Sequence, residues 1–346
     1  MRYIPLGSTD IEVSQLCLGT MTYGTQTPES DAHAQLDASL DAGINFVDTA
    51  EAYPVNPMTA ETAGLTETII GNWIAKTGRR DEIVLATKVA GSGGPKRGGA
   101  PISAEGIDEA VEGSLQRLQT DYIDLYQLHW PNRGFYAFRR DWDYDPSSQV
   151  KAETIAHMES VLAALQAHVD AGRIRHVGLS NETAWGTAQW LSVAERVGGP
   201  RMETVQNEYS LMYRLYDTDM AELSHNEQVT LLAYSPLATG LLTGKYTGGA
   251  IPEGSRMTLS PELGGRRTDR SIDIAQIYVD LAERHGLHPV HLALAFTCQR
   301  PYPVSPIFGA TTIDQLQVIL DGKDVVLSDE VLAEIGAVRR DNPMPY

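Results

Sequence analysis

Several features that mark specialised classes of protein are scarce or missing in this 346-residue sequence. It has only two cysteines, Cys17 and Cys298, and both lie inside apolar runs, so neither a disulfide framework nor a cysteine metal site is expected. No apolar run is long enough to span a bilayer, and the N-terminus lacks the basic-then-apolar pattern of a secretory signal. These absences predict a cytoplasmic protein.

Positively charged residues are also scarce. The chain has 27 Lys and Arg residues against 45 Asp and Glu residues, which gives a formal net charge of -18. Nucleic acid and anionic membranes repel such a surface, so the sequence predicts no nucleic-acid and no membrane partner. A few local cations would still be needed to bind an anionic ligand.

A GxGxxG motif is absent after the first β-rich run, which argues against a doubly wound dinucleotide-binding sheet. Short β-rich runs instead alternate with helical patterns from residue 12 to about residue 340, at 13–19, 44–48, 82–88, 123–129, 174–180, 202–207, 229–235 and 304–310. These runs are apolar on both faces, as parallel strands covered by helices are. The pattern predicts an α/β protein with a single domain over residues 1–346, folded as a (β/α)8 TIM barrel.

Segments outside this alternation are expected at the two ends of the barrel. The opening YIPLGSTDIEVSQL predicts an N-terminal β-hairpin that turns at 8–10 and could close the barrel floor. Residues 131–150 and 246–270 are long and irregular, and loops that follow barrel strands lie at the C-terminal face. The first is rich in aromatics and is either a substrate lid or a packed surface excursion. Helix N-caps are predicted at Ser30, at Ser103, and at Asn181 or Thr183.

Polar side chains recur at the ends of six consecutive predicted strands. They are Asp48, Lys88, His129, Ser180-Asn181, Gln206-Asn207 and Tyr234-Ser235. A single such residue could be a helix cap or a structural histidine. Their repetition predicts an active site, because the C-terminal ends of barrel strands meet at one face.

Four of the polar residues suit one kind of chemistry. The phenol of Tyr53, five residues beyond Asp48, is a poor proton donor at neutral pH unless a neighbouring ammonium lowers its pKa. Lys88 could supply that charge, Asp48 could hold Lys88, and His129 could orient the substrate oxygen. This set suits protonation of the oxyanion that forms as hydride reaches a carbonyl carbon. The hydride must come from a cofactor.

The motifs VDTAEAY (47–53), LYQLHWP (125–131), GLSN (178–181) and LLAYSPLATGLLTGKY (231–246), with Lys88, resemble the active-site signatures of the aldo-keto reductases. The resemblance covers essentially the whole chain. It implies an NADPH-dependent oxidoreductase that reduces aldehydes or ketones to alcohols, with a catalytic tetrad of Asp48, Tyr53, Lys88 and His129 and with Tyr53 as general acid. It also implies a set of cofactor-binding residues: Gly19, Thr20, Met21, Ser180, Asn181, Gln206, Tyr234, Ser235, Leu237, Gly240, Leu242, Lys245, Arg256, Gly309, Thr311 and Gln315.

The choice between NADPH and NADH depends on two of these residues. Lys245 and Arg256 match positions of relatives that prefer NADPH, although both could merely solvate a surface loop.

The chain departs from the family at Ile319, where relatives commonly carry an Asn that contacts adenine. A cluster of acidic residues near the site, Glu51, Glu61 and Glu67, is expected to be solvated loop charge.

An apolar pocket for a small carbonyl substrate is suggested by Tyr23, Trp130 and the aromatics of 135–144.

Two other functions remain open. The first is a cofactor-binding regulatory or interaction protein that senses nicotinamide redox state, as the family's potassium-channel β subunits do. The second, a metal-dependent hydrolase, would need a cluster of His or carboxylate ligands, so no metal site is predicted. The oligomeric state is also open, with a monomer as the default and a ring as the alternative.

Overall fold

The computed structural model describes residues 1–346. Its ten strands are β1 (Tyr3–Pro5), β2 (Glu12–Ser14), β3 (Cys17–Gly19), β4 (Phe46–Asp48), β5 (Val84–Val89), β6 (Ile123–Leu128), β7 (Ile174–Ser180), β8 (Met202–Glu208), β9 (Thr230–Tyr234) and β10 (Val304–Phe308). Strands β3 to β10 pair in parallel in chain order, and β10 closes onto β3. The predicted (β/α)8 barrel is therefore confirmed, with strand ends shifted by a few residues.

Eleven helices accompany the strands: α1 (Glu29–Asp41), α2 (Leu65–Thr77), α3 (Ala104–Leu118), α4 (Lys151–Asp170), α5 (Ala184–Val197), α6 (Asp219–Glu227), α7 (Arg256–Leu259), α8 (Asp269–Arg284), α9 (Pro289–Cys298), α10 (Ile313–Asp321) and α11 (Asp329–Asp341). The side chains of Ser103 and Thr183 cap α3 and α5, as predicted. The predicted cap at Ser30 is wrong, because α1 begins two residues earlier than such a cap implies, at Glu29 after Pro28. None of the helices is long and apolar enough to cross a membrane.

The hairpin β1–β2 closes the N-terminal end of the barrel, as predicted. Its strands pair antiparallel, from Tyr3 with Ser14 to Pro5 with Glu12. In its turn, the Gly7 amide donates to the Thr230 hydroxyl at the start of β9. The fully buried side chains of this end form their own apolar cluster, which includes Leu6, Val13, Cys17, Phe46, Leu125 and Leu232. Both cysteines are free thiols.

Buried ion pairs hold the loops at the opposite, C-terminal face. Four buried glutamates form five such pairs: Glu51 with Arg97, Glu67 with Arg117, Glu182 with Arg133, and Glu208 with both Arg139 and Arg266. Glu51 and Glu67 are 1% and 0% exposed, so the expectation that they are solvated is wrong, whereas Glu61 is exposed. A buried carboxylate is costly unless it is paired, which explains why each has an arginine.

Candidate active site

The four residues predicted as a tetrad come together at the C-terminal end of the barrel. Asp48 ends β4, Lys88 is the next-to-last residue of β5, His129 directly follows β6, and Tyr53 lies in the loop after β4. Lys88 Nζ lies 2.6 Å from Asp48 Oδ2 and 3.4 Å from the Tyr53 hydroxyl. The ring centroids of Tyr53 and His129 are 5.8 Å apart. All four side chains are buried.

Lys88 is a fully buried ammonium with a complete set of partners. Besides Asp48 and Tyr53, it donates to the backbone carbonyl of Thr49 at 2.7 Å. Burial is the largest single effect and by itself would lower the pKa of Lys88, but Asp48 and Tyr53 together outweigh burial and leave this pKa above its ordinary value. Lys88 is therefore charged at neutral pH.

The phenol of Tyr53 behaves differently from the sequence-based expectation. Burial raises its pKa, and the opposing charge of Lys88 does not overcome that effect. The expectation of a lowered pKa for Tyr53 is therefore wrong for this structure. The phenol keeps its proton at neutral pH, and Lys88 lies where it would stabilise a phenolate once the proton has left.

His129 is a neutral imidazole beside the phenol. Burial lowers its pKa well below the ordinary value, and the charge of Lys88 lowers it further. Its Nδ1 is buried and has no hydrogen-bond partner within the protein. The histidine can therefore orient a polar atom of a ligand without carrying charge.

Of the two residues predicted to contact substrate, only Trp130 lies beside the site. Its ring centroid is 4.7 Å from that of His129, and its Nε1 donates to the Ser92 carbonyl at 3.0 Å. A Cβ on Gly91 would lie 2.6 Å from this Nε1, so the glycine makes room for the indole. Tyr23 is fully buried in the main core and donates to Gln35, so its assignment to the substrate pocket is wrong.

Polar residues at the ends of β7, β8 and β9 form a connected group next to His129. The Tyr234 hydroxyl donates to Asn181 Oδ1 at 2.9 Å, and Asn181 Nδ2 donates to the His129 carbonyl at 2.9 Å. Ser180 Oγ donates to the Gln206 carbonyl at 2.9 Å. The structure thus brings together the four residues predicted to bind the nicotinamide end of a cofactor.

The sequence reasoning missed one member of this group, Gln127. Its fully buried side chain donates from Nε2 to Asp48 Oδ1 at 3.1 Å and accepts from Gln206 Nε2 at 3.1 Å. Gln127 lies inside the strand rather than at its end, where polar residues were sought. An uncharged amide in the otherwise apolar end of the run IDLYQLH was the available signal.

Backbone strain is concentrated at the same face. Eight of the eleven non-glycine residues with positive φ lie between the end of a barrel strand and the next helix: Asn56, Arg97, Phe138, Arg139, Asn181, Ser235, Ala238 and Thr239. Gly240 also has a positive φ of 103°, and a Cβ there would lie 2.9 Å from Lys245 Cε. Such strain is common in loops that bind ligands. Two sets of predicted cofactor-binding residues lie at this face. The loop after β9 contains Ser235, Leu237, Gly240 and Leu242, and the end of β3 carries Gly19, Thr20 and Met21.

Two cations near this loop have no acidic partner. Neither Lys245 nor Arg256 forms an ion pair with Asp or Glu, and Arg256 Nε is buried without a hydrogen bond. Burial, with the nearby charge of Arg266, lowers the pKa of Arg256 to about 10. Burial and the charge of Arg256 also lower the pKa of Lys245. Uncompensated, adjacent cations in a chain of net charge -18 suit a bound anion.

The residues predicted at the adenosine end lie together around the start of α10. The Thr311 amide and hydroxyl donate to Gln315 Oε1 at 3.0 and 3.1 Å, and Gly309 lies against the Gly19 carbonyl. Ile319 is buried on the inward side of α10 in the main core. Its apolar side chain therefore fits the environment in which this chain places it.

No group of three or more His, Cys, Asp or Glu side chains lies close enough to hold a metal ion.

Comparison with known proteins gives a family model, described as the Aldo/keto reductase family, that matches residues 15–340. The chain is 45% identical to Protein tas of Escherichia coli, with 98% of each chain covered. It is 30% identical to the aldo-keto reductase YhdN of Bacillus subtilis, with 98% of this chain and 93% of the relative covered. It is also 33% identical to a probable voltage-gated potassium channel subunit beta of Oryza sativa, with coverage of 99% and 98%.

Proposed function

Because the chain belongs to the aldo/keto reductase family, as its motifs predicted, we propose that it reduces aldehydes or ketones to alcohols with NADPH and that Tyr53 donates the proton. One observation carries the proposal. A buried, charged Lys88, held by Asp48 at 2.6 Å, lies 3.4 Å from a protonated Tyr53 and next to a neutral His129. This arrangement provides a proton and stabilises the charge that its loss leaves behind.

The protein's own side chains would handle the proton as follows. NADPH supplies the hydride when it is bound. The O–H bond of Tyr53 breaks as its proton moves to the substrate oxygen, and the phenolate that remains lies beside Lys88. Asp48 keeps Lys88 charged and in place through this step. His129 orients the carbonyl oxygen, and because burial and Lys88 lower its pKa, the imidazole is a weak base that competes poorly for the proton.

The polar side chains of the site suit a nicotinamide dinucleotide. The nicotinamide end would be held by Tyr234, Ser180, Asn181 and Gln206. The strained loop from Ser235 through Leu242 would follow the pyrophosphate, and the other side of the cofactor would be covered by Gly19, Thr20 and Met21. Gly309, Thr311 and Gln315 would contact the adenosine end. Lys245 and Arg256 would bind the 2′-phosphate that distinguishes NADPH from NADH, since neither has a carboxylate partner of its own.

The substrate is proposed to be a small carbonyl compound with an apolar or aromatic body. Trp130 packs with Ala52, Ala90 and Phe135 in a separate apolar cluster beside Tyr53 and His129. Phe138 extends this cluster and is 44% exposed, with its ring centroid 6.4 Å from that of Trp130. An aromatic aldehyde such as 4-nitrobenzaldehyde is therefore a suitable first substrate.

Replacing the two free cations tests the choice of cofactor. Arg256→Met and Lys245→Met should each raise KM for NADPH by about tenfold or more, because a hydrogen bond between charged groups contributes about 1.5–3 kcal/mol. KM for NADH should change far less, and Lys76→Met, which removes an exposed cation elsewhere, should change neither. Equal losses with both cofactors would refute the assignment of these residues to the 2′-phosphate.

Turnover itself separates the proposal from the regulatory alternative. Purified protein with NADPH and a panel of aldehydes and ketones should form one alcohol for each NADPH oxidised. Tight binding of NADPH without turnover of any carbonyl would contradict the reductase and favour a protein that binds the cofactor for regulation or interaction.

A further inference from the structure

Gln127 lies in the barrel interior directly beside the charged core of the site. The register of β5 and β6 pairs it with Lys88, so the two side chains point the same way at the same level of the barrel. Both are fully buried. A glutamine amide is costly to bury unless its hydrogen bonds are made, and Gln127 makes them with two residues of the site.

Asp48 accepts hydrogen bonds from three side chains. Lys88 Nζ donates to Oδ2 at 2.6 Å, while Gln206 Nε2 and Gln127 Nε2 both donate to Oδ1, at 2.8 and 3.1 Å. Gln206 Nε2 also donates to Gln127 Oε1 at 3.1 Å. The two amides and the carboxylate therefore form a closed triangle around Oδ1.

This triangle leaves only one orientation for each amide. The carboxylate that faces Lys88 has no proton to donate, so both glutamines must turn Nε2 toward it. Gln127 Oε1 is then left to accept from Gln206. Gln206 uses both hydrogens of Nε2 in this way, so the only polar atom it can still offer to a ligand is the acceptor Oε1.

We propose that Gln127 is a positioning residue for the reaction. Through Asp48 it fixes the carboxylate that holds Lys88 beside Tyr53. Through its Oε1 it holds the second Nε2 hydrogen of Gln206, which leaves only the Gln206 acceptor Oε1 to face the donor amide of the nicotinamide carboxamide. This inference rests on the proposed function, since it takes NADPH as the ligand.

Gln127→Leu keeps most of the side-chain volume and removes both hydrogen bonds. Asp48 Oδ1 then has one donor fewer, and Gln206 loses the acceptor that holds the second hydrogen of its Nε2. The variant should lower kcat about tenfold and raise the Kd for NADPH by about two- to tenfold, as expected for the loss of one or two neutral hydrogen bonds. Quenching of tryptophan fluorescence measures this Kd without turnover.

Gln127→Glu gives the sharper test because its effect depends on pH. A protonated glutamic acid donates to Asp48 from its O–H and accepts from Gln206, which reproduces the wild-type pattern. An ionised one cannot donate and adds a second negative charge beside Asp48. Burial and that neighbouring charge raise the pKa of the introduced carboxyl above its usual value of about 4.3. Kd and kcat should therefore approach wild-type values at low pH and worsen as pH rises through that pKa, which neither wild type nor Gln127→Leu should do.

Gln35→Leu is the matched control, because Gln35 is a fully buried glutamine in the core that accepts from Tyr23 and lies outside the site. It should lose stability only and keep the wild-type Kd, kcat and pH profile. Wild-type Kd and kcat in Gln127→Leu, or a wild-type pH profile in Gln127→Glu, would overturn the role of Gln127. If the leucine variant does not fold, the pH series of the glutamate variant decides alone. Failure of the proposed function has a different signature, a wild type that neither binds nor oxidises NADPH, and it would overturn both.

Discussion

Two charged states in the site are decided by competition between burial and a neighbour. Removing an ion from water costs several kcal/mol, yet Lys88 stays charged because Asp48 and two oxygen acceptors replace its hydration. The cations near Tyr53, chiefly Lys88, do not offset the cost of burying a phenolate, and the charge of Asp48 opposes them, so burial prevails and the pKa of Tyr53 rises. The resting site therefore holds an ammonium, a phenol and a neutral imidazole.

A pH profile follows from these states. Tyr53 must be protonated to reduce a carbonyl, so kcat should be lost as pH rises through its raised pKa. Reduction should therefore persist across neutral pH and fall only in alkaline solution. His129 is already neutral, so no inflection is expected near the ordinary histidine pKa of about 6.5. An inflection there that disappears in His129→Gln would contradict this assignment of charge.

Helix packing around the barrel depends on single glycines. Gly71 lies on the face of α2 that packs against the end of α3, and a Cβ at this position would overlap the Arg117 carbonyl oxygen. Backbone atoms cannot turn away as a side chain can, so the two helices would have to separate.

Gly71→Ala should therefore lower the free energy of unfolding by about 1–3 kcal/mol, the usual cost of overpacking. Gly336→Ala is the matched control, because Gly336 lies inside α11 and has only the end of Arg340 nearby, at 3.7 Å. The control should raise stability by about 0.5–1 kcal/mol through helix propensity. Urea denaturation measures both, and a stabilised Gly71→Ala would contradict the packing described.

Most elements could be predicted from the sequence because buried parallel strands and helices carry a local pattern. The hydrophobic pattern alone did not show that residues 13–19 belong to two strands, because β2 ends and β3 begins within this one apolar run. The buried Glu–Arg pairs could not be predicted either, since Glu51 and Arg97 are 46 residues apart and nothing local links them. Gln127 was missed for a related reason. Its hydrogen-bond partners lie on other strands, so these contacts form only when the barrel is closed.

At the scale of the whole molecule, the apolar cluster beneath the hairpin and the proposed chemistry lie at opposite ends of the barrel. The hairpin seals the N-terminal end with a cluster around Leu6 and Val13, while every proposed catalytic residue lies at the C-terminal end. The loops there are strained or held by ion pairs. A defect in the N-terminal cluster should therefore leave the chemistry intact.

Leu6→Ala tests this separation. Leaving a cavity at a fully buried leucine should reduce the free energy of unfolding by about 2–5 kcal/mol. Below the unfolding transition, kcat and the Kd for NADPH should stay at wild-type values. Val326→Ala, at a side chain that is 66% exposed, should change neither stability nor activity appreciably. A large loss of kcat in folded Leu6→Ala would show that the two ends are coupled.

Comparison of wild type with Tyr53→Phe tests whether Tyr53 gives its proton to a carbonyl oxygen, with kcat for NADPH-dependent reduction of 4-nitrobenzaldehyde as the measurement. Phenylalanine keeps the ring beside His129 and removes only the hydroxyl that Lys88 contacts. If Tyr53 is the acid, kcat should fall about 10²–10⁴-fold in Tyr53→Phe while the Kd for NADPH stays unchanged. A Tyr53→Phe variant that keeps kcat within a few-fold of wild type would show that the proton comes from elsewhere.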